Sequence, residues 1–314
     1  GATIVDKSPC TVHSSPYSQS HGTAMASLLV SKEYGVAPDA TLLTYQTGFD
    51  DDGDDAVAEC AVRNGHGIEE NKSLINRAIS DGAQIISIST SDEDLDESTK
   101  WAITRADALG VIVVSPMGND AKDETDAGLA KWSGVVGVGA IDTTGKVAPY
   151  SSWGQGTSIA AVGGPIVLRN YETGNKASTE GTSVSTPLIA GFLALAKQKW
   201  PNATGNQRLQ LMTKTALNNE GHWNKYTGYG VADLGDMMNT DPSQYPNENP
   251  LMDPTMHRGP TVDEIQQYIG GLVNPRDIAF DDSYTYRGAD ESVISNTDAG
   301  VPIHLGTSPR YHAK

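Results

Sequence analysis

Short apolar runs rich in β-branched residues alternate with longer segments of helical periodicity from residue 1 to about residue 240. This strand, helix, strand repeat is typical of a parallel sheet that is covered by helices. At 314 residues the chain is long enough for one large α/β domain with a substantial appendage. The predicted strands cover about residues 2–5, 41–45, 85–89, 111–114 and 135–140, and the predicted helices cover about 22–32, 69–81, 97–109 and 183–199.

The composition changes after about residue 240. Eight of the chain's 16 prolines lie in residues 241–314, where apolar runs are few. Thr261 and Glu264 form a capping-box pair ahead of apolar residues at helical spacing, which predicts one short helix near 261–272. We therefore expect a main domain over 1–240 and a Pro-rich C-terminal extension over 241–314 that packs on it or is partly disordered.

The charge of the chain limits its partners. The 22 Lys and Arg residues against 39 Asp and Glu residues give a net charge of -17. This charge disfavours nucleic acid and anionic membranes and favours neutral or basic partners. No stretch approaches the roughly 20 apolar residues of a spanning helix. We expect neither a nucleic-acid partner nor a membrane partner.

Two features leave alternatives open. The only cysteines, Cys10 and Cys60, allow at most one disulfide, and the sequence does not show whether they pair. The acidic run at residues 50–55 is a solvated loop or a structural Ca²⁺ site, since hard cations favour carboxylate oxygen. Its spacing lacks the glycine and glutamate of an EF-hand, which favours the loop.

Four side chains form a candidate catalytic set. His21 and Ser183 each lie at a predicted turn into a helix, and Asp6 and Asn119 each follow a predicted strand. The carboxyl ends of parallel strands are where such sheets bind ligands. A serine hydroxyl needs a base to take its proton and fixed dipoles to bind the tetrahedral oxyanion. This set supplies a nucleophile, a base, an orienting carboxylate and an oxyanion donor.

The segment around Ser183 suits a nucleophile. Gly181 permits close backbone approach, and the following residues are predicted to begin a helix whose free N–H groups favour negative charge. Pro187 is expected in about the first turn, where a missing N–H costs least. The Ser183 backbone N–H and the Asn119 side-chain amide are then the two oxyanion donors. We expect His21 to begin its helix as the base, oriented by Asp6.

The sequence resembles the subtilisin-like (S8) serine protease family over about residues 1–240. Four separated segments carry the resemblance. They are residues 3–6; residues 21–23 together with 35–40; residues 110–114 followed by 118–119; and residues 181–183 together with Pro187 and 190–191. It implies a three-layer α/β fold with a mostly parallel central sheet between helices. It also implies serine endopeptidase activity through an acyl-enzyme, with no required cofactor. Peptides or proteins would be substrates, and a propeptide or inhibitor outside this chain is another implied partner.

The resemblance further implies two segments that bind extended substrate. The first contains Ser87, Ser89, Thr90 and Ser91, and the second contains Ser115, Pro116, Met117 and Gly118. Thr90 and Ser91 stand where the family has a small or glycine-rich segment, so the S1 wall is expected to be narrower or more polar.

Asp6 departs from the family pattern in two ways. It is followed by Lys7 and Ser8 where the family has a small residue and glycine, and His21 follows it after only 15 residues. Asp6 is thus the least secure of the three triad residues.

Three functional hypotheses follow from this set of residues. The first is a serine endopeptidase, which could be a dedicated processing protease with the extension restricting access to its cleft. The second is a peptide macrocyclase or ligase that resolves the same acyl-enzyme with an amine. The third is a catalytically silent binding module, in which the short link from Asp6 to His21 has altered the geometry. Most relatives are secreted, although intracellular forms exist, so we expect secretion.

Overall fold

A computed structural model describes residues 2–8, 14–47, 70–90, 96–170, 173–218, 221–278, 281–290 and 304–305. The helices are α1 (Pro16–Val30), α2 (Asn71–Ser80), α3 (Glu97–Leu109), α4 (Thr182–Lys199), α5 (Gly205–Lys214), α6 (Leu234–Asn239) and α7 (Val262–Gly270). The strands are β1 (Thr3–Asp6), β2 (Thr41–Thr44), β3 (Ile85–Ser87), β4 (Ile112–Pro116), β5 (Val136–Ile141), β6 (Thr157–Val162), β7 (Ile166–Arg169), β8 (Lys176–Thr179), β9 (Thr285–Tyr286) and β10 (His304–Leu305).

The central sheet is parallel and has the strand order β3-β4-β5-β6. Strands β4 and β5 are buried on both faces, as the apolar runs predict. Strands β1 and β2 form a separate parallel pair, with Asp6 opposite Thr44 at its carboxyl end. Strands β7 and β8 form an antiparallel hairpin that leads directly into α4.

Helices cover both faces of the central sheet. Successive strand residues point to opposite faces of the sheet. Ile112 and Val114 of β4 therefore pack in one cluster with Ile189 of α4. Val113 packs in a second cluster, on the other face, with Ile103 of α3. Helix α2 belongs to the second cluster and α5 to the first. The α/β fold with a parallel central sheet between two helical layers is therefore confirmed.

Helix α1 begins earlier than the sequence analysis predicted. Its N-cap is Ser15, whose side chain accepts a hydrogen bond from the Ser18 N–H, and Pro16 occupies the first helical position. A serine followed by proline is a strong helix start. His21 consequently lies in the second turn of α1, and the prediction that it begins the helix is wrong.

Some elements were not predicted from the sequence. Strand β6 and the hairpin of β7 and β8 are absent from the predicted set, as is α5. The signal for α5 was present, because Thr204 and Gln207 form a capping box with both hydrogen bonds made.

The C-terminal segment packs on the main body through α7. Thr261 and Glu264 make both hydrogen bonds of a capping box at its start, and Gly271 ends the helix in a left-handed conformation. The side chain of Lys100 in α3 lies 2.7 Å from Glu264. The division into a domain and an extension remains a prediction. Within the described ranges, no helix is long and apolar enough to cross a membrane.

Candidate active site

Ser183 lies in the first turn of α4. Gly181 is the N-cap, with a φ of 148° that favours glycine, and its N–H donates to the Gly163 carbonyl at 2.8 Å. The first N–H groups of a helix have no partner inside it, so the Ser183 N–H is available to a ligand oxygen. Pro187 lies in the second turn, slightly later than predicted, and removes the N–H that would bond the Ser183 carbonyl.

The Asn119 amide is held in one orientation by Thr182. Its Oδ1 accepts hydrogen bonds from the Thr182 N–H at 2.8 Å and from the Thr182 hydroxyl at 3.0 Å. Because the oxygen is engaged on the side of α4, the Nδ2 group is left to donate. This is the arrangement that an oxyanion donor requires.

The Ser183 hydroxyl and the Asn119 amide converge on Gly181. A Cβ placed on Gly181 would lie 3.1 Å from Ser183 Oγ and 3.3 Å from Asn119 Nδ2. Both distances are shorter than an ordinary carbon contact, so any side chain here would crowd the two polar groups. The absence of a side chain at residue 181 therefore leaves room for a serine hydroxyl and a side-chain amide to lie side by side.

His21 faces the first predicted substrate segment. Its Nε2 lies 3.2 Å from the Ser89 carbonyl oxygen, a hydrogen bond that requires the proton to be on Nε2. One helical turn earlier, Tyr17 stacks on the imidazole, with ring centroids 6.2 Å apart and planes within 8°. Among the described residues, no hydrogen bond joins His21 to Asp6 or to Ser183.

The Asp6 carboxylate is held by Ser8. Its Oδ1 accepts from the Ser8 N–H at 2.9 Å and from the Ser8 hydroxyl at 2.5 Å. These hydrogen bonds favour the ionised form and hold the pKa of Asp6 below its ordinary value. The unusual Ser8 thus supplies the donors for the turn after Asp6, and the carboxylate stays charged and exposed at the end of β1.

The first predicted substrate segment is an accessible sheet edge. Among the described strands β3 is the outer one of the central sheet, and Ser87 and Ser89 are partly exposed while Thr90 is exposed. Ser91 lies outside the described residues.

The second predicted segment offers less surface. Ser115, in the covered strand β4, is 2% exposed, and Met117, directly after the strand, is 4% exposed. Pro116 and Gly118 are partly exposed. A peptide side chain can therefore reach Pro116 and Gly118 but not the side chains of Ser115 and Met117.

The metal and disulfide expectations lie outside the described residues, which include neither the acidic run at 50–55 nor Cys10 and Cys60. In the part of the chain that the structure describes, no group of three or more His, Cys, Asp or Glu residues could hold a metal ion.

The family model of the subtilases, peptidase family S8, matches residues 5–230. The chain belongs to the subtilase family. The thermostable alkaline protease of Halalkalibacterium halodurans is 31% identical over 222 residues, which are 69% of this chain and 56% of that protein. Subtilisin BL of Lederbergia lenta is 29% identical over 221 residues, with 69% of this chain and 76% of that protein covered.

Two solved structures show the same fold. Fervidolysin from Fervidobacterium pennivorans superposes with a TM-score of 0.61 at 25% identity, over 79% of this chain and 42% of that one. The PatG macrocyclase domain superposes with a TM-score of 0.57 at 20% identity, over 70% of this chain and 67% of that one. The chain spans about half the length of the alkaline protease and less than half of fervidolysin.

Three contributors to this site were not identified from the sequence. They are Thr182, which orients Asn119; Tyr17, which stacks on His21; and Tyr150, whose hydroxyl accepts from the Gly181 N–H at 3.2 Å. Tyr17 and His21 are four residues apart, a spacing that places side chains together on a helix. The roles of Thr182 and Tyr150 depend on contacts between distant segments, which no local pattern shows.

Proposed function

We propose that this subtilase is an active serine endopeptidase in which Ser183 is the nucleophile, His21 the general base and acid, Asp6 the orienting carboxylate and Asn119 an oxyanion donor. The observation that carries the proposal is the convergence of Ser183 Oγ and Asn119 Nδ2 around Gly181 at the start of α4. A carbonyl carbon at Ser183 Oγ would place its oxygen within reach of the Asn119 amide and of the Ser183 N–H.

The reaction follows from these positions. Ser183 Oγ attacks the scissile carbonyl while its proton passes to His21, and the oxyanion forms against the two N–H donors. The imidazolium then protonates the leaving amine, which leaves an acyl-enzyme. Water attacks that ester, His21 takes the water proton, and collapse releases the acid and the free Ser183 hydroxyl.

The triad step requires His21 to move. To accept the Ser183 proton at Nε2, the imidazole must leave the Ser89 carbonyl and carry its own proton on Nδ1, facing Asp6. Triad hydrogen bonds are often loose without substrate and tighten in the complex. A peptide that pairs with the sheet edge would compete for the Ser89 carbonyl and so release His21.

The remaining aspects of function are part of the same proposal. Acyl transfer by these side chains needs no cofactor, and the charge of -17 favours basic peptides. A processing role on a restricted substrate is part of the proposal. It is supported by the ion pair between Glu264 of the extension and Lys100 near the start of α3. Helix α3 follows the predicted substrate edge in the chain, so an extension attached there could limit access to the cleft. We propose secretion as the location.

Peptide hydrolysis tests the proposal. The parent chain and its Ser183→Ala variant are incubated with a peptide library, and the products are analysed by mass spectrometry. We expect linear products that have gained water, and none from the variant. Equal cleavage by the variant would overturn the assignment of Ser183.

The same assay separates the two other hypotheses. A cyclic or ligated product, lighter than the hydrolysed peptide by one water, would identify an acyl-enzyme resolved by an amine. The PatG macrocyclase domain shares the fold with proteases, so the fold alone does not decide this point. A parent chain that turns over no peptide would favour the silent binding module.

A further inference from the structure

A shielded carboxylate lies beside the backbone that leads into Asn119. The Oε1 atom of Glu124 lies 3.8 Å from the position that a Cβ on Gly118 would take. The Glu124 side chain is only 15% exposed, and its N–H donates to the Trp153 carbonyl at 2.7 Å, which fixes this part of the loop. Gly118 has a φ of 101° and carries no side chain, and the other side chain beside it is Ser152, whose Oγ lies 3.3 Å from the same Cβ position.

A cation already occupies the neighbourhood of this carboxylate. Lys122 Nζ lies 3.1 Å from the same Oε1 atom and 3.4 Å from Asp120 Oδ2. The two carboxylates raise the pKa of Lys122 above its ordinary value. The Lys122 side chain is 56% exposed, and exposed ion pairs on flexible stems contribute little stability. A better-placed cation can therefore displace Lys122 at low cost.

We propose that Glu124 selects a basic residue, Arg or Lys, at the substrate position whose carbonyl reacts (P1), and that the substrate cation replaces the Lys122 ammonium beside Glu124. The inference rests on the proposed function, because Ser183 and Asn119 define where the reacting carbonyl lies. Because Gly118 directly precedes Asn119 in the chain, the proposal places the residue that bears this carbonyl beside Gly118. Its side chain is then within reach of Glu124.

Glu124 and its neighbour Asp120 differ in a way that makes the proposal specific. Asp120 is 69% exposed, so water screens its charge, whereas Glu124 is largely shielded and faces Gly118. Charge interactions strengthen as water is excluded. A guanidinium can also bind a carboxylate through two parallel hydrogen bonds, which an ammonium cannot. We therefore expect Arg to be preferred over Lys.

Peptide binding in a Ser183→Ala background tests the proposal without requiring turnover. Two tetrapeptide amides that differ only in a C-terminal Arg or Leu are titrated calorimetrically into this variant. The titrations are repeated with Glu124→Gln, Asp120→Asn or Lys122→Gln added, and circular dichroism verifies that each variant is folded. We expect the Arg peptide to bind more tightly to the Ser183→Ala protein, and Glu124→Gln to reduce this preference by about tenfold.

The two other variants serve as matched controls. Asp120→Asn also removes a carboxylate that contacts Lys122, yet it should change the Arg preference by less than about twofold, as expected for an exposed charge. Lys122→Gln should strengthen Arg binding, since it removes the competing cation. An unchanged preference in Glu124→Gln, or equal losses in Glu124→Gln and Asp120→Asn, would overturn the proposal. Failure of the proposed function would instead appear as a parent chain that cleaves no peptide.

Discussion

The orientation of the Asn119 amide depends on Thr182. Two hydrogen bonds from Thr182 engage Oδ1, so that Nδ2 is directed to the space beside Ser183 Oγ. Donors of this kind act on the transition state because they are fixed before the charge develops. The effect of Asn119 on the reaction should thus depend on Thr182 as a positioning residue.

Substitution of Asn119 should lower the rate of the chemical step. We expect Asn119→Leu to reduce kcat by about 10²- to 10³-fold with little change in KM, since the oxyanion forms only after binding. Thr182→Val should give a smaller loss of kcat, because the amide remains but is free to rotate. Steady-state kinetics on one peptide measure both. A change confined to KM in either variant would contradict the oxyanion role.

The Ser8 hydroxyl controls the ionisation of Asp6. It is the leading cause of the lowered pKa of Asp6, and the Ser8 N–H is the next. In Ser8→Ala the leading donor is lost while the Ser8 N–H and the Gln46 side chain remain, so the pKa of Asp6 should rise toward its ordinary value. Carbon-detected NMR titration of the Asp6 carboxyl measures this shift. Thr144→Val serves as a control, because it removes a hydroxyl donor to Asp142 and should leave the pKa of Asp6 unchanged. If the pKa of Asp6 does not rise in Ser8→Ala, this explanation is refuted.

At the scale of single residues, local motifs predicted which polar side chains lie together. They did not predict the neighbouring residues that hold those side chains in position. The glycine at 181 and the strand ending before Asn119 indicated that Ser183 and Asn119 would be neighbours. The hydrogen bond from His21 to Ser89 was not predictable, because it joins a helix to a sheet edge 68 residues away. The catalytic roles themselves stay predictions.

At the scale of elements, the end of α3 contains a shielded carboxylate that has no charged partner in the part of the chain that the structure describes. Asp107 is partly buried; its Oδ1 accepts a hydrogen bond from Asn249 at 3.3 Å, and its Oδ2 atom is inaccessible to solvent and has no hydrogen-bond partner among the described residues. It lines a cavity of about 10 Å³ with Gly134 and Asn206, room for about one water molecule. Burial raises the pKa of Asp107 to about 8.

This carboxylate should make the protein less stable as the pH rises. Between about pH 4 and pH 8 the unfolded chain has released the Asp107 proton while the folded chain retains it, so the free energy of unfolding falls through this range. Asp107→Asn cannot ionise and should lack this part of the decline. Urea unfolding at several pH values compares the two proteins. Parallel pH profiles would show that Asp107 is ionised in the fold.

The elements that the sequence predicted best are those with a strong internal pattern. The apolar runs of β4 and β5 and the periodicity of α3 gave bounds within one or two residues of Ile112–Pro116, Val136–Ile141 and Glu97–Leu109. Helix α1 was misplaced at its start because its first turn is polar and exposes Tyr17, which leaves no apolar period. Its start was readable only from Ser15 and Pro16.

At the scale of the whole molecule, a buried polar network attaches the C-terminal segment to the helical layer. Arg105 of α3 lies 3.4 Å from Asp281, and the two side chains are 4% and 0% exposed. Arg105 also donates hydrogen bonds to the Asn76 carbonyl at 2.9 Å and to the Ser283 hydroxyl. Asp281 in turn accepts a hydrogen bond from the Tyr268 hydroxyl. The network therefore joins α2, α3 and α7.

Loss of the Asp281 charge should destabilise the protein strongly. We expect Asp281→Asn to lower the free energy of unfolding by about 3–5 kcal/mol, because it leaves the Arg105 charge buried without its partner. Asp263→Asn, at an exposed position in the first turn of α7, should cost less than about 1 kcal/mol. Denaturant unfolding measures both. Similar losses in the two variants would show that the network contributes no more than a surface charge.

The overall architecture was predictable where the repeat of strand and helix is regular, and not where the chain depends on long-range contacts. The Thr261 and Glu264 pair indicated a helix, and that capping box is present in α7. Nothing in the composition of residues 241–314 indicated that Asp281 would lie against Arg105, 176 residues earlier in the chain. Such a contact appears only once the sheet and its helices are assembled.

The central claim is that Ser183 is an activated nucleophile, and labelling with a fluorophosphonate probe tests it most directly. The parent, Ser183→Ala and His21→Ala proteins are treated with the probe, and the modified residue is located by peptide mass spectrometry. We expect labelling of Ser183 in the parent, none in Ser183→Ala and a large decrease in His21→Ala. No labelling in the parent, or equal labelling in the parent and His21→Ala, would contradict the proposed site.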